Sequence, residues 1–382
     1  MRGVRTIWRH CRAAACLAPL LGCDSRRRAP QRERPPRAAL SALPAESAAS
    51  AAPALLQPIL QALAEVHEQK LTILPPRDET ARLAFGKGRL AQAMTDKVVF
   101  RDTKDGAVVA ESALGAVHAV TEGVDGSLIA LGFSGGARLD ARASKARSFA
   151  HVAFFPGAAL FPNLEDPSHF YVYYAGQQQL FLYAFEAEAG SFLPIEDRFP
   201  LAGCVGAPAL TLDGAFLCTT ADGIERRAPR GREAHYKLPA GVPAAVRLLP
   251  AKRLDDLFSV SRTGEVVHLR LQQGMPVLGR FQLPALPFAA VTNAEVLAFV
   301  LVSPPEAGSP RRFILLVTDL EGQERFKVDL ASKSAPAGED WVKAVIGDKN
   351  LAVSAFEPLV AVGGADSVTV WDYARGLLVF SR

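Results

Sequence analysis

The chain has 382 residues, 49% hydrophobic and 21% charged, with 30 Gly and 27 Pro. That is enough apolar material for a sizeable core, and the Gly/Pro content suits many short strands joined by turns better than long helices. The net charge of +4 does not point to an anionic partner, because residues 1–37 hold ten Arg against only Asp24 and Glu33 and leave the remainder net acidic; this argues against a nucleic-acid surface on the folded part.

At the N-terminus, Arg2, Arg5, Arg9 and Arg12 form a positive segment, and residues 13–22 (AAACLAPLLG) form an apolar run. A bilayer span needs about 20 residues, so this run fits a signal h-region instead. Leu20-Leu21-Gly22-Cys23 follows and resembles the bacterial lipobox. The resemblance implies removal of residues 1–22 and acylation of Cys23. A lipid bilayer is then one partner, and the bacterial cell envelope, facing periplasm or exterior, is the location. An ordinary secretory signal with Cys23 incidental is the alternative. Asp24 resembles an inner-membrane retention signal of enteric bacteria, a rule that does not transfer between bacterial groups, so the choice of membrane stays open.

Residues 23–53 are then a lipidated tether. They are rich in Arg, Pro, Ala and Ser, with almost no large apolar residue, and such a segment cannot bury enough surface to order itself. Each buried acyl methylene contributes roughly 0.8 kcal/mol to anchoring. The six Arg of residues 26–37 suit anionic head groups at about 1 kcal/mol each. From Pro53 the pattern changes. Leu55, Leu56, Ile59, Leu60, Leu63 and Val66 share one face at helical spacing, which predicts a helix over 54–68. Its polar face lacks the Lys and Arg of an interfacial helix, so residues 54–81, including a short strand at 71–74, are expected to pack on the domain that follows.

From residue 82 the chain repeats, in blocks at 82–113, 116–150, 151–200, 203–240, 243–286, 288–332 and 342–382. They average roughly 43 residues, within the 40–45 residue period of WD40-type blades. Residues 351–382 carry Val370-Trp371-Asp372 and a turn at Ala374-Arg375-Gly376, and residues 83–111 echo them with Phe100-Arg101-Asp102. Lys87-Gly88, Asp125-Gly126 and Asp213-Gly214 sit between apolar alternating stretches as hairpin signals. These features resemble a degenerate WD40 β-propeller. The resemblance implies an all-β ring of four-stranded blades, most simply seven, with six or eight as alternatives. In WD40 relatives one blade usually mixes strands from both ends of the chain. Here the last block owns four strands, which leaves 71–74 as a possible outer strand at the seam. Trp-Asp occurs once, and the Gly-His pair of WD40 blades is missing, although His118 and His151 stand near the openings of two blocks.

No constellation for catalysis stands out. Gly132-Phe133-Ser134-Gly135-Gly136 fits G-x-S-x-G, but a hydrolase elbow needs a helix after the Ser, and a strand-like run follows instead. None of the seven His falls at metal spacing, and no C-x-x-C occurs. No cofactor is expected. His118 and His151 are open to a ligand role near a central channel or to a structural hydrogen bond. Cys204 and Cys218 read first as two buried thiols, because a hairpin turning at Asp213-Gly214 leaves Cys204 about 16 Å along the strand from the residue facing Cys218, beyond the ~7 Å that a bridge spans; a disulfide through a bent lead-in is the alternative.

The third block holds four of the six Tyr. Phe161, Phe170, Tyr171, Tyr173 and Tyr174 there are candidates for partner binding, against packing between blades. Residues 157–168 read as an extra loop. The sequence thus favours a non-enzymatic, lipid-anchored envelope propeller that binds a protein partner as a scaffold, or that binds a ligand. It also resembles, less closely, the scaffold subunit of outer-membrane barrel assembly machinery. The alternative is a propeller enzyme, a metal-dependent lactonase or a quinoprotein-like dehydrogenase. The latter's repeated Trp docking motifs are incompatible with Trp at positions 8, 341 and 371 alone.

Overall fold

The structure is a computed structural model that describes residues 82–149, 158–186, 191–228, 233–302, 313–330, 351–363 and 367–382. The signal segment, Cys23, the tether, the helix predicted over 54–68, the strand predicted at 71–74, His151 and Trp341 lie outside the described residues. The described strands form seven antiparallel sheets of four, each from strands consecutive in sequence. The blades span 83–113, 117–149, 158–200, 209–237, 245–282, 286–329 and 351–381. Together they make a seven-bladed β-propeller with no helix among the described residues, which removes the six- and eight-bladed alternatives.

Burial explains why these sequences form blades. The second strands Leu128–Gly132, Asp256–Ser261 and Leu297–Val302 are buried along their whole length. Leu128–Gly132 and Leu297–Val302 read as continuous apolar runs, as strands covered on both faces do, whereas Asp256–Ser261 also buries Asp256, Ser259 and Ser261. The fourth strand Val277–Gln282, and Glu324–Asp329 from Arg325 on, alternate between half-buried and exposed residues, as strands with one wet face do.

Each blade meets its neighbour through an apolar cluster drawn from both. Phe100 and Leu128 join blades 1 and 2; Ile129 and Phe170 join 2 and 3; Tyr173 and Phe216 join 3 and 4. Leu217 and Leu269 join 4 and 5, Phe258 and Phe299 join 5 and 6, and Phe313 and Val360 join 6 and 7. Leu83, Phe85 and Leu90 then pack on Leu359, Val370 and Phe380, which closes the ring between blades 7 and 1. At this seam Gly106 lies so close to Phe380 that a Cβ would sit 2.6 Å from the ring, and its φ of +72° suits glycine. Arg382 reaches across the same seam to the Asp105 carbonyl (3.1 Å).

Two expectations are corrected. Residues 158–162, read as part of a loop, are the innermost strand of blade 3, Ala158–Pro162. The true turn is residues 163–168, where Asn163 Oδ1 accepts the amide of Glu165 and Asp166 accepts the Ser168 hydroxyl. Cys204 and Cys218 are not the two separate thiols first expected but form the alternative, a disulfide, with Cα atoms 5.1 Å apart. The chain before Ala209 does not continue the strand direction. It folds back through Gly203 and Gly206, both at positive φ, and the Val205 amide donates to the Thr219 carbonyl (2.8 Å).

Closing a loop of about 15 residues contributes about 3 kcal/mol in the chain-entropy account. The double change Cys204→Ser/Cys218→Ser should therefore lower the urea midpoint, and dithiothreitol should reproduce the loss in the wild-type protein only. Phe380→Ala should cost about 3–5 kcal/mol through the seam cavity, read as a lowered unfolding midpoint.

Candidate functional site

The G-x-S-x-G segment is a tight turn between the strands Leu128–Gly132 and Gly135–Leu139, with Gly132 paired to Gly135. The Ser134 amide is held by the Leu114 carbonyl (2.9 Å). A hairpin turn of this kind has no strand-to-helix elbow, so Ser134 is not presented as a hydrolase nucleophile.

The aromatics of blade 3 divide by burial. Phe170 and Tyr173 are interior: each is at most 1% exposed. Phe170 stacks on Tyr183 at 5.6 Å, and burial raises the Tyr173 phenol above its ordinary value. These two rings therefore hold blades together and are not on offer to a partner. Phe161 and Tyr171 are half-buried and meet the Phe216 ring of blade 4 edge-on at 5.5 and 5.3 Å. Tyr174 is half-buried against Phe181. Edge-to-face pairs of this kind are packing contacts.

The innermost strands face the propeller axis and are mainly apolar. Among their described residues the ionisable ones are His118, Glu122 and Arg247. Glu122 ends the inner strand of blade 2, and burial pushes its carboxyl up to about 8. Arg247 lies in the inner strand of blade 5, and burial lowers it to about 10. A carboxyl held protonated near neutrality donates a hydrogen bond instead of carrying charge. Neither residue was singled out from the sequence; the available signal was a charge at a position where the other inner strands are apolar.

A third region is the face formed by the turns between first and second strands. Val124, Leu212, Leu254 and Phe356 all lie in these turns, in blades 2, 4, 5 and 7, and each is more than two-fifths exposed. Phe356 also reaches its neighbours: a Cβ on Gly126 would sit 3.5 Å from its ring and 3.0 Å from the Lys87 side chain. The first turns of blades 7 and 1 therefore both approach that of blade 2 at Gly126. Asp residues brace this end of the blades. Asp125 accepts the Ser127 amide and hydroxyl and pairs with Arg138 at 2.7 Å. Burial opposes its charge, but those hydrogen bonds and the guanidinium hold it below the usual carboxylate range. Asp213 repeats the arrangement in blade 4 with Arg226.

On the same face, at the seam, lies a pocket of about 330 Å³. Thr103 and Lys104 of blade 1 form one wall; Glu357, Pro358, Asp372, Ala374 and Arg375 of blade 7 form the other. Ser354 is fully buried, and its hydroxyl accepts the amides of Phe356 and Glu357, which fixes the turn. The Pro358 carbonyl accepts the Tyr373 amide (2.9 Å), tying this turn to the one after Asp372.

No family model matches the chain, and no curated protein matches it. Solved structures do. The β-propeller domain of Cps50 (Swd1) from Myceliophteria thermophila aligns with a TM-score of 0.52 at 13% identity, covering 78% of this chain and 96% of that one. A functionally unknown protein from Desulfotomaculum acetoxidans aligns with a TM-score of 0.52 at 12% identity over 75% and 92% of the two chains. Raptor from Chaetomium thermophilum aligns with a TM-score of 0.52 at 14% identity over 76% of this chain and 28% of its own. At such identities the likeness concerns the fold.

Glu122 gives a pH test. Its raised pKa favours the folded state when protonated, so that stability is complete below the unfolded value of 4.5 and is lost as pH rises through about 8. Glu122→Gln should raise the melting temperature above about pH 8 and leave it nearly unchanged below pH 4.5. Equal gains at both ends would show that burial does not shift this carboxyl.

Proposed function

We propose that this chain is a non-enzymatic, lipid-anchored protein of the bacterial cell envelope, whose propeller docks a protein partner as a scaffold. The observation that supports docking is the apolar first-turn face, with Val124 and Phe356 on converging turns and Leu212 and Leu254 on others. Apolar side chains concentrated on one end of a folded domain mark interaction surfaces. The support for the anchor is the order of Arg2–Arg12, the apolar run and Cys23 in the sequence. Phe161, Tyr171 and Tyr174 remain secondary contacts in this reading, through their exposed edges.

The test is affinity capture from envelope extracts with the wild type and with Leu212→Asp/Phe356→Asp. Both positions are exposed, so the fold should survive, and partners bound through this face should be lost. Recovery of the same partners would reject the face. Separately, Cys23→Ala should move the protein from the membrane to the soluble fraction; unchanged membrane retention would reject lipidation.

A second reading is a propeller enzyme acting in the channel, for which Glu122 is the supporting observation, as a protonated acid near neutral pH. Bound quinone or metal at one equivalent in the purified protein would favour it over the scaffold.

A further inference from the structure

We infer that residues 71–74 lie along the outer edge of blade 7 as a fifth strand, covering Leu377–Ser381 and so keeping that edge from pairing with a second copy of the chain. This gives the outer strand expected at the seam a definite place, and it stands apart from the docking and anchoring readings.

Leu377–Ser381 is the outermost strand of its sheet, and no described strand covers its outer side. A bare edge offers unpaired amides and carbonyls to any other strand, and folded proteins blunt such edges with charge, proline or a cover. The other six outermost strands all contain charged residues: Glu111, Arg147, Arg198, Lys237, Arg280 and Lys327 are one from each. Leu377–Ser381 reads LLVFS, with neither charge nor proline. Leu377 and Leu378 are each 58% exposed. An apolar, uncharged strand of this kind is the type that recruits another. Since it lacks the protection its six counterparts have, a cover is the remaining device.

The chain carries a cover of its own within reach. Lys70-Leu71-Thr72-Ile73-Leu74 alternates at strand period, with Leu71 and Ile73 on one face. Pro75-Pro76 ends it, because proline has no amide to give a ladder. Leu83 then opens blade 1 beside Gly363 of blade 7, where a Cβ would sit 3.2 Å from Leu83 Cδ1. Gly363 pairs with Val368, and Val368 exchanges both backbone hydrogen bonds with Arg382 (2.7 and 2.9 Å). A strand laid outside Leu377–Ser381 is therefore three strand spacings from Gly363, about 14 Å. Residues 75–81, extended, reach roughly 26 Å. The other outer edge at the seam, Val108–Ala113 of blade 1, is already guarded by Glu111, paired with Lys97 at 2.8 Å. Blade 7 has its four strands without the addition, so the fifth covers an edge and replaces nothing in the ring.

The experiment is hydrogen–deuterium exchange of the full chain, read by mass spectrometry. In the wild type, the amides of 71–74 should exchange at least tenfold more slowly than those of a free peptide of the same sequence. Thr72→Pro, which lies outside the ring, should speed exchange at least tenfold in both 71–74 and 377–381 and leave the second strands of all blades unchanged. Leu377→Lys/Leu378→Lys puts charge on the edge at two exposed positions; it should free 71–74 while keeping the wild-type circular dichroism. Exchange of 71–74 at the free-peptide rate in the wild type would overturn the proposal. So would protection of 71–74 that survives the two lysines, or a Thr72→Pro effect that falls on a strand other than 377–381. Protection of 377–381 that disappears on dilution, with sedimentation as a dimer, would show a second copy on the edge and would overturn it too. None of these outcomes bears on the Leu212/Phe356 capture experiment or on Cys23→Ala, so the readings fail separately.

Discussion

The structure depends on one arrangement: each apolar cluster belongs to two blades at once. Phe313 of blade 6 is buried because Val360 and Leu351 of blade 7 cover it, and Leu351 is buried by the same contact. No blade has a core of its own. The fully buried second strands follow directly, since each is the middle of a sandwich whose outer layers are the neighbouring blades. Burial of a large apolar side chain is worth roughly 1.5–3 kcal/mol, and in an open array of blades the two end faces would forgo it. Closure between Phe85 and Phe380 is thus the same interaction repeated, and it needs no special fastening.

Much of this was legible in the sequence because turns obey local rules. Asp125-Gly126 and Asp213-Gly214 mark first turns correctly, since Gly at positive φ and Asp accepting nearby amides are requirements of the turn itself. The same logic explains the Asp of Trp371-Asp372. Asp102 and Asp372 end third strands, Asp319 directly follows one, and all three accept backbone amides of the turn that follows. The Asp therefore recurs, at Asp319 after a Thr and at Asp102 after an Arg. Trp371 packs against Phe326 of the preceding blade, whereas Arg101 and Thr318 stand at the equivalent positions, so the turn requires the Asp and not the Trp.

What the sequence hid was tertiary. The Cys204–Cys218 bridge depends on a backward fold at Gly203 and Gly206 that strand arithmetic does not foresee. The inner strand Ala158–Pro162 reads as a loop because polar turn residues follow it at once. Blade 3's aromatics look like a binding stripe when counted along the chain. Placed in the ring, Phe170 and Tyr173 face neighbouring blades.

The described seam joins complete sheets and exchanges no strand. Each blade is thus one uninterrupted stretch of sequence, coextensive with one sheet. In a ring whose closing blade borrows a strand from the far end of the chain, copying any single stretch around that joint would split a sheet. Here a single in-frame duplication or deletion between two linkers adds or removes a whole blade. The stretch of sequence and the folding unit coincide, which leaves each blade free to change by itself.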